Sequence, residues 1–525
     1  MPFPYRQVVR NIALLALGAF LYTLASPPYT WAWAAWFALT PLYLVLYGKT
    51  CWTAFAAGCL YGVLFGAGIT GWAYAAITTY FPLPFPVDAL FTLLSYSFAI
   101  APYTGLTAVL SCILMRHGNP LLRWIGIPAL WVSNEFVRSL VFFGFCWEFL
   151  GYTQYRTLPL IQIADITGVY GLSFLIALLS YVVAEILLSF RFSRPVTHHA
   201  PLTTYTPFPW PALSLIAVGV ALVWLYGTVR LQRYASVFSQ SPLTVALVQE
   251  NVPSAQRWQR VRYASNLLKY VAATRHGVQG TQPDLIVWPE FAIGFYLDRE
   301  PLLRLQLDQL TQYLQTFLLL GAPRLEETED RLRYYNSAYL LSPDGTLVDT
   351  YDKRYLVPFA ESRPLTVPAL LHHSPEHPSE FTAGERSTVF ALPQGSFGVL
   401  ICYEATYPQL ARQLVAGGAE FLVNMSNDTW LVAGGQAAAT QHFSMAVFRA
   451  VENRRYLVRA ATAGISGFVD PSGRPYHLST DKEGVLLGQI FPLQERTVYA
   501  RYGDWFACVC VGVSALALLR MRLHP

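Results

Sequence analysis

Charge is scarce in this 525-residue chain. Asp, Glu, Lys and Arg make up 13% of its residues and hydrophobic types 54%, a ratio too poor in charge for an ordinary soluble protein. Lysine is the scarcest charged type, present only as Lys49, Lys269, Lys353 and Lys482. The net charge of +5 gathers into no basic block, which argues against a nucleic-acid partner. No internal repeat, low-complexity tract or glycine-rich phosphate loop occurs, so repeat architectures and P-loop nucleotide chemistry are set aside. Cysteine is nearly absent from the polar part of the chain. Of Cys51, Cys59, Cys112, Cys146, Cys402, Cys508 and Cys510, only Cys402 lies outside strongly apolar segments.

The charge that exists is unevenly placed. Residues 11–230 hold about 13 charged side chains and residues 231–503 about 49, and so long an apolar region points to membrane spans. Apolar runs of bilayer-crossing length sit near 9–26, 31–48, 53–77, 89–115, 122–141, 168–190, 211–229 and 504–520. The fifth is interrupted by Asn134, Glu135 and Arg138. Arg6 and Arg10 before an apolar run also fit a secretory signal peptide, but further spans follow and no small-x-small cleavage site precedes them. With eight spans, Arg6, Arg10, Lys49, Arg116, Arg123, Arg191, Arg194, Arg520 and Arg522 all fall on one side, which marks it as cytoplasmic. The expected organisation is therefore spans over 1–230, an outward-facing domain over 231–503 and a last span within 504–525. The 192–211 stretch reads as a cytoplasmic loop whose paired His198 and His199 are too isolated for a metal claim.

From residue 243 the pattern changes to alternating strands and helices. "LTVALVQENVP", "PDLIVWPE", "FLLLGAPR", "FGVLICYE" and "AEFLVNMSNDTW" read as strands, and "YASNLLKYVAATRH", "ATYPQLARQLVAGG" and the start of "QHFSMAVFRAVENRRYLVRAAT" as helices. Hairpins are expected at Pro343-Asp344-Gly345 and Ser472-Gly473. Strands alternating with helices, with hairpins between, predict a mixed α/β sandwich.

Glu290, Lys353 and Cys402 each sit at or just beyond a strand end, where such folds place working groups. A thiol attacks only as thiolate and needs a base or a nearby positive charge to become one. Glu290 is placed to take the proton, and Lys353 to stabilise an oxyanion. Each also has a plainer reading: a small buried hydrophobe for Cys402, a solvated turn acid for Glu290, a surface charge for Lys353. His442 and Asp428 admit a protease-type Cys–His pairing, although His442 fits better as a helix residue making a structural hydrogen bond.

In this order, "WPE" ending at Glu290, "DKRYLVPFAE" with Lys353 and "ICYE" with Cys402 resemble the nitrilase superfamily, whose site is a Glu–Lys–Cys triad on an αββα sandwich. With spans on both flanks, and with "VQENVP", "LVPFAE", "SNDTW" and "QHF", nearly the whole chain resembles the apolipoprotein N-acyltransferases, bacterial membrane enzymes of lipoprotein maturation. The resemblance implies a polytopic membrane domain of about eight transmembrane helices plus an extramembrane nitrilase-like domain. Glu290 would be the general base, Lys353 the oxyanion stabiliser and Cys402 the nucleophile. Glu361, Tyr403 and Glu404 would support them. Trp258 would belong to an arm over the lipid entrance, and Phe291, Phe295, Trp430 and Leu431 would line a lipid groove. A phospholipid donor, expected to be phosphatidylethanolamine, and a diacylated apolipoprotein acceptor would be the substrates, at a bacterial inner membrane with the domain facing the periplasm. No metal or organic cofactor is implied. Two features depart from the family pattern: Glu250 stands where a glycine is usual, and "LVAGGQAAAT" replaces a shorter aromatic- and proline-bearing segment. Two other readings stay open. A membrane-tethered nitrilase-type amidase would use water as second acceptor, although eight spans exceed what an anchor needs. A non-catalytic receptor or transporter would carry intramembrane charges, for which Glu135, Arg138, Glu148 and Asp165 are candidates.

Overall fold

The computed structural model describes residues 4–80, 84–117, 119–141, 144–192, 210–235, 242–328, 331–358, 360–362, 380–432, 435–480 and 482–523. The expected loop with His198 and His199 lies outside these residues, as do Ala433 and Gly434 of "LVAGGQAAAT". The chain forms two compact units. One comprises Met1–Gly71, Phe85–Leu231 and Asp504–Pro525, the other Trp72–Pro84 and Gln232–Gly503.

The first unit is helical. Among the described residues, four helices are long and apolar enough to cross a membrane: Tyr5–Ala25, Cys51–Ile69, Tyr170–Phe190 and Trp210–Arg233. Two other expected spans are broken where a proline opens a new helix, since proline lacks an N–H and suits a helix's first turn. Thus 31–48 becomes Ala32–Ala38 and Thr40–Leu46 with Pro41 opening the second piece, and 89–115 becomes Val87–Ala99 and Ala101–Met115 with Pro102 doing the same. The last expected span is the helix Trp505–Leu523. Gly58 and Gly62, one turn apart on Cys51–Ile69, face the helix Ala101–Met115; a Cβ on Gly58 would sit 2.5 Å from the Thr104 carbonyl oxygen. Small residues at this spacing let apolar helices approach backbone to backbone.

The interrupted fifth segment is the helix Pro120–Leu140, with Glu135 and Arg138 buried. Buried charge needs partners, and this unit supplies them. Glu135 accepts from Trp131 Nε1 at 3.0 Å and from the Leu150 amide at 2.7 Å. Arg138 stands over the Phe149 ring at 5.3 Å. Asp165 pairs with Arg230 at 2.9 Å and accepts from Tyr226 Oη at 2.8 Å.

In the second unit the strands are β1 Leu243–Gln249, β2 Leu285–Val287, β3 Phe317–Glu327, β4 Leu332–Leu341, β5 Leu347–Asp352, β6 Val389–Leu392, β7 Gly395–Ile401, β8 Phe421–Ser426, β9 Leu457–Ala461, β10 Ile465–Val469, β11 Pro475–Thr480 and β12 Gly484–Ile490. They build two six-stranded sheets, ordered β12-β1-β2-β3-β4-β5 and β11-β10-β9-β8-β7-β6, with parallel centres β1-β2-β3 and β7-β8-β9. Side chains alternate across a strand, so each sheet serves two cores. Val245, Leu247, Leu285, Val287 and Leu319 meet Phe397, Val399, Ile401, Phe421 and Val423 between the sheets. Their neighbours Ala246, Val248, Ile286, Leu318 and Leu320 pack outward with Leu267, Tyr270, Leu307 and Leu310 of the helices Tyr263–Gly277 and Pro301–Leu314. On the other sheet, Gly398 faces Leu414 of the helix Pro408–Ala416. The layers are αββα. The strands and helices expected from the sequence are present, except that "AEFLVNMSNDTW" ends as a strand at Ser426 and Thr429–Val432 is helical; β6, β12 and the helix Pro301–Leu314 are among the additional elements.

Phe421 stands at one end of a run of stacked rings in the inter-sheet core, 5.1 Å from Phe397, which lies 5.1 Å from Phe390. Phe421→Ala is expected to cost about 3–5 kcal/mol of stability, whereas Leu347→Ala on an exposed strand position should change it by under about 0.5 kcal/mol. Thermal unfolding of the two variants in the same detergent checks this.

Candidate active site

Three strands end at the expected residues. Glu290 follows β2 after Trp288 and Pro289, Lys353 directly follows β5, and Cys402 directly follows β7. Gly321 of β3 makes room for the first of these turns, since a Cβ there would lie 2.7 Å from Glu290 Cα. All three side chains are buried.

Lys353 Nζ lies 3.2 Å from Glu290 Oε1 and 2.8 Å from Glu361 Oε2. Asn336, on β4, bridges the same two carboxylates, its Nδ2 donating to Glu290 Oε1 at 2.7 Å and to Glu361 Oε1 at 3.0 Å. The Asn427 amide donates to Glu290 Oε2 at 2.7 Å, and the Val357 amide to Glu361 Oε2 at 2.8 Å. Glu361 thus closes the loop after Lys353 back onto the ammonium.

Cys402 has φ +49°, a left-handed conformation that costs a non-glycine residue of order 1 kcal/mol or more. Surrounding hydrogen bonds hold it there. Glu404 Oε2 accepts from the Ile401 amide at 2.7 Å, while its Oε1 accepts from Tyr351 Oη at 2.8 Å and the Arg354 amide at 2.7 Å. One buried carboxylate thereby ties the cysteine turn to the lysine loop. On the other side, His442 Nε2 lies 2.9 Å from the Cys402 carbonyl oxygen. That oxygen can only accept, so Nε2 bears the proton. His442 Nδ1 faces Arg459 Nη2 at 3.1 Å and Asp428 Oδ1 at 3.2 Å. Arg459 also donates to Asp428 Oδ2 at 2.5 Å, and Ser426 Oγ to Asp428 Oδ1 at 2.6 Å. His442 therefore clamps the Cys402 backbone.

The electrostatics follow from these contacts. Burial pushes the Cys402 thiol well above its ordinary pKa and Glu290 pushes it further, with Lys353 opposing both. Burial alone would lower Lys353, but Glu290 and Glu361 outweigh it and keep the ammonium charged. Burial and then Arg459 hold His442 below its usual value, hence neutral. Asp428, against the upward push of burial, is held at about 2 by Arg459 and His442. Donor atoms of Cys402, Asp428 and His442 lie within 4.8 Å of one another, but the Arg459 guanidinium shares that cluster and opposes a metal cation in it.

The aromatic residues fall into separate groups. Trp258 meets Phe291 edge-on at 5.0 Å, and Phe291 lies 5.7 Å from Phe381. Trp430 instead meets Trp72 at 6.0 Å. Tyr403 packs on Tyr407 at 5.2 Å. Phe295 belongs to the outer core with Trp288, and Leu431 is buried. Sequence reasoning missed Asn336 and Arg459; the signal was a polar residue inside each of the apolar strands "YYNSAYLL" and "LVRAA".

Two family descriptions divide the chain. Residues 18–182 match the apolipoprotein N-acyltransferase N-terminal domain and residues 244–497 the carbon-nitrogen hydrolase family. Relatives match along the whole length. The apolipoprotein N-acyltransferase of Geobacter metallireducens is 37% identical over 523 residues, covering 98% of this chain and 96% of the relative. That of Pseudomonas aeruginosa is 31% identical over 529 residues, with the same coverage. Among solved structures, Saccharomyces cerevisiae Nit3, of the nitrilase superfamily, is 22% identical and covers 48% of this chain and 93% of its own, with a TM-score of 0.36. An amidase from Nesterenkonia sp. is 20% identical, covering 49% and 94%, with the same TM-score.

Two stability measurements test this geometry. Asp428 falls from its ordinary 3.8 to about 2 on folding; a depressed folded pKa adds stability above the unfolded value that is lost as pH falls through the folded one. Wild-type protein should therefore lose about 2 kcal/mol more than Asp428→Asn between pH 4 and pH 2; equal losses would contradict the assignment. Glu404→Gln turns one acceptor into a donor facing N–H or O–H groups and should cost about 1–3 kcal/mol, read as a fall in unfolding temperature.

Proposed function

Since the chain belongs to the apolipoprotein N-acyltransferase family, we propose that it moves an acyl chain from a phospholipid to the α-amine of an apolipoprotein's N-terminal diacylglyceryl-cysteine, through a thioester on Cys402. The observation that carries this reading is the buried Glu290–Lys353 pair, joined by a part-buried Glu361 and acting electrostatically on a buried cysteine at a strand end.

Glu290 takes the Cys402 proton as sulfur attacks the ester carbonyl, and the Lys353 ammonium faces the oxyanion that forms. As the tetrahedral species collapses, the C–O bond breaks and Glu290 returns the proton to the departing lysophospholipid oxygen. The apolipoprotein amine then attacks the thioester, Glu290 accepts its proton, and the expelled sulfur is reprotonated. Atoms balance without a metal or organic cofactor, and two half-reactions at one nucleophile give ping-pong kinetics. Asn336, Glu361 and Glu404 position these groups. Trp258, Phe291 and Trp430 are proposed to contact acyl chains, and Tyr403 to flank the nucleophile. The preferred donor is proposed to be phosphatidylethanolamine. The placement of basic residues supports a bacterial inner-membrane protein with its 231–503 domain in the periplasm.

Intact-protein mass spectrometry after incubation with phosphatidylethanolamine alone should show a gain of one acyl chain on wild-type enzyme, removed by neutral hydroxylamine and absent in Cys402→Ala. A diacylated lipopeptide should discharge the adduct and become N-acylated. Adduct on Cys402→Ala would overturn the nucleophile. Discharge to free fatty acid with no acylated peptide would favour the amidase-type reading.

A further inference from the structure

Trp72 lies 369 residues before Gln441 in sequence, directly after the apolar helix Cys51–Ile69, yet it groups with the second unit. Its Nε1 donates to Gln441 Oε1 at 3.0 Å, and its ring meets Trp430 edge-on at 6.0 Å. We propose that Trp72 is a positioning residue for acylation, bracing at one point the two segments that hold Cys402 and Glu290. The inference rests on the reading of those two residues as nucleophile and base.

Gln441 precedes His442, whose imidazole clamps the Cys402 carbonyl. Both lie near the start of the helix Gln436–Asn453, which has no side-chain cap at Gly435. An uncapped first turn leaves backbone N–H groups without helical partners and frays unless something holds it. Trp430 lies in the single-turn helix Thr429–Val432, too short to be stable alone. That turn directly follows Asn427, whose amide donates to Glu290 Oε2, and Asp428, which anchors Arg459 beside His442. Trp72 therefore touches the residue next to the cysteine clamp and the turn next to the base's donor. Displacing either moves a hydrogen bond that fixes a reacting group, and small misplacements of such groups are costly in rate. The segment's apolar sequence, "GWAYAAITTY", reads as membrane span, yet its indole N–H makes a specific polar contact with Gln441.

The test is a double-mutant cycle on full-length protein. Trp72→Phe keeps a ring and removes the N–H, and Gln441→Met keeps side-chain length and removes the acceptor. Single-turnover thioester formation at saturating phosphatidylethanolamine should slow roughly three- to tenfold in each variant, with the concentration for half-maximal rate unchanged. The double variant should be no slower than the slower single, as expected for one shared contact. Unchanged rates would overturn the proposal. So would multiplying effects, or a fall in unfolding temperature with no fall in rate. If Gln441→Met fails to fold, Trp72→Phe against Trp72→Ala decides: a wild-type rate in Trp72→Phe overturns it. Cys402 alkylation by iodoacetamide, run in parallel, reports thiol placement without any lipid. Absence of thioester in wild-type enzyme, with alkylation still slowed in Trp72→Phe, would count against the acyl-transfer reading and leave the bracing intact.

Discussion

An ammonium buried to 1% exposure is costly unless it is neutralised, and Lys353 is neutralised by two carboxylates. The rest of the site depends on that excess. The cluster sets two carboxyl groups against one ammonium before the thiol is counted. Burial first and the neighbouring Glu290 second drive the Cys402 thiol up, against the pull of Lys353, so it rests protonated. On the proposed mechanism, the nucleophile is then not a standing thiolate–ammonium pair. Its proton leaves only as sulfur bonds to carbon, when the new charge passes to a carbonyl oxygen facing the lysine. Asn336 supports the arrangement by giving each of the two carboxylates, which share one cation, a further N–H donor.

Fixing such a cluster requires that each member arrive from a different strand end, and the sandwich provides it. β2 and β5 lie in one sheet and β7 and β8 in the other, with a shared core between them. The strain at Cys402 is held by neighbours whose own charges are paired: Glu404 by three amides and a phenol, Asp428 by Arg459 and Ser426. These polar networks cost desolvation energy that packing elsewhere must offset.

Much of this was legible in the sequence, for identifiable reasons. Strands with alternating apolar faces announce themselves, and a Pro-Asp-Gly turn fixes a hairpin locally. The helix Pro301–Leu314 was hidden because "LLRLQLDQL" mixes two periods: Leu303, Leu307, Leu310 and Leu314 follow the helical stripe, while Leu303, Leu305 and Leu307 alternate as in a strand. Packing of Leu307 and Leu310 under the sheet decides for helix. The interruption of two apolar runs at Pro41 and Pro102 was visible residue by residue but not as a break in hydropathy. Glu290, Lys353 and Cys402 could be named because each ends a recognisable strand. Asn336 and Arg459 could not, since their roles arise from partners dozens of residues away. Trp72 was hidden most completely, its neighbours in sequence belonging to an apolar run and its partners to the other end of the chain.

The same negative excess bears on the second half-reaction. On the proposed mechanism, Cys402 as a thioester is neutral, and the proton it gave to Glu290 has left with the lysophospholipid. Two carboxyl groups again face one ammonium. An approaching α-ammonium would be attracted by the carboxylates, and it must lose a proton before its nitrogen can attack. Water gains nothing from the attraction. A site built to keep its own thiol protonated is thereby biased, once acylated, toward a cationic amine acceptor over hydrolysis. Charge balance at Lys353 thus links the resting state of the nucleophile to the choice of acceptor.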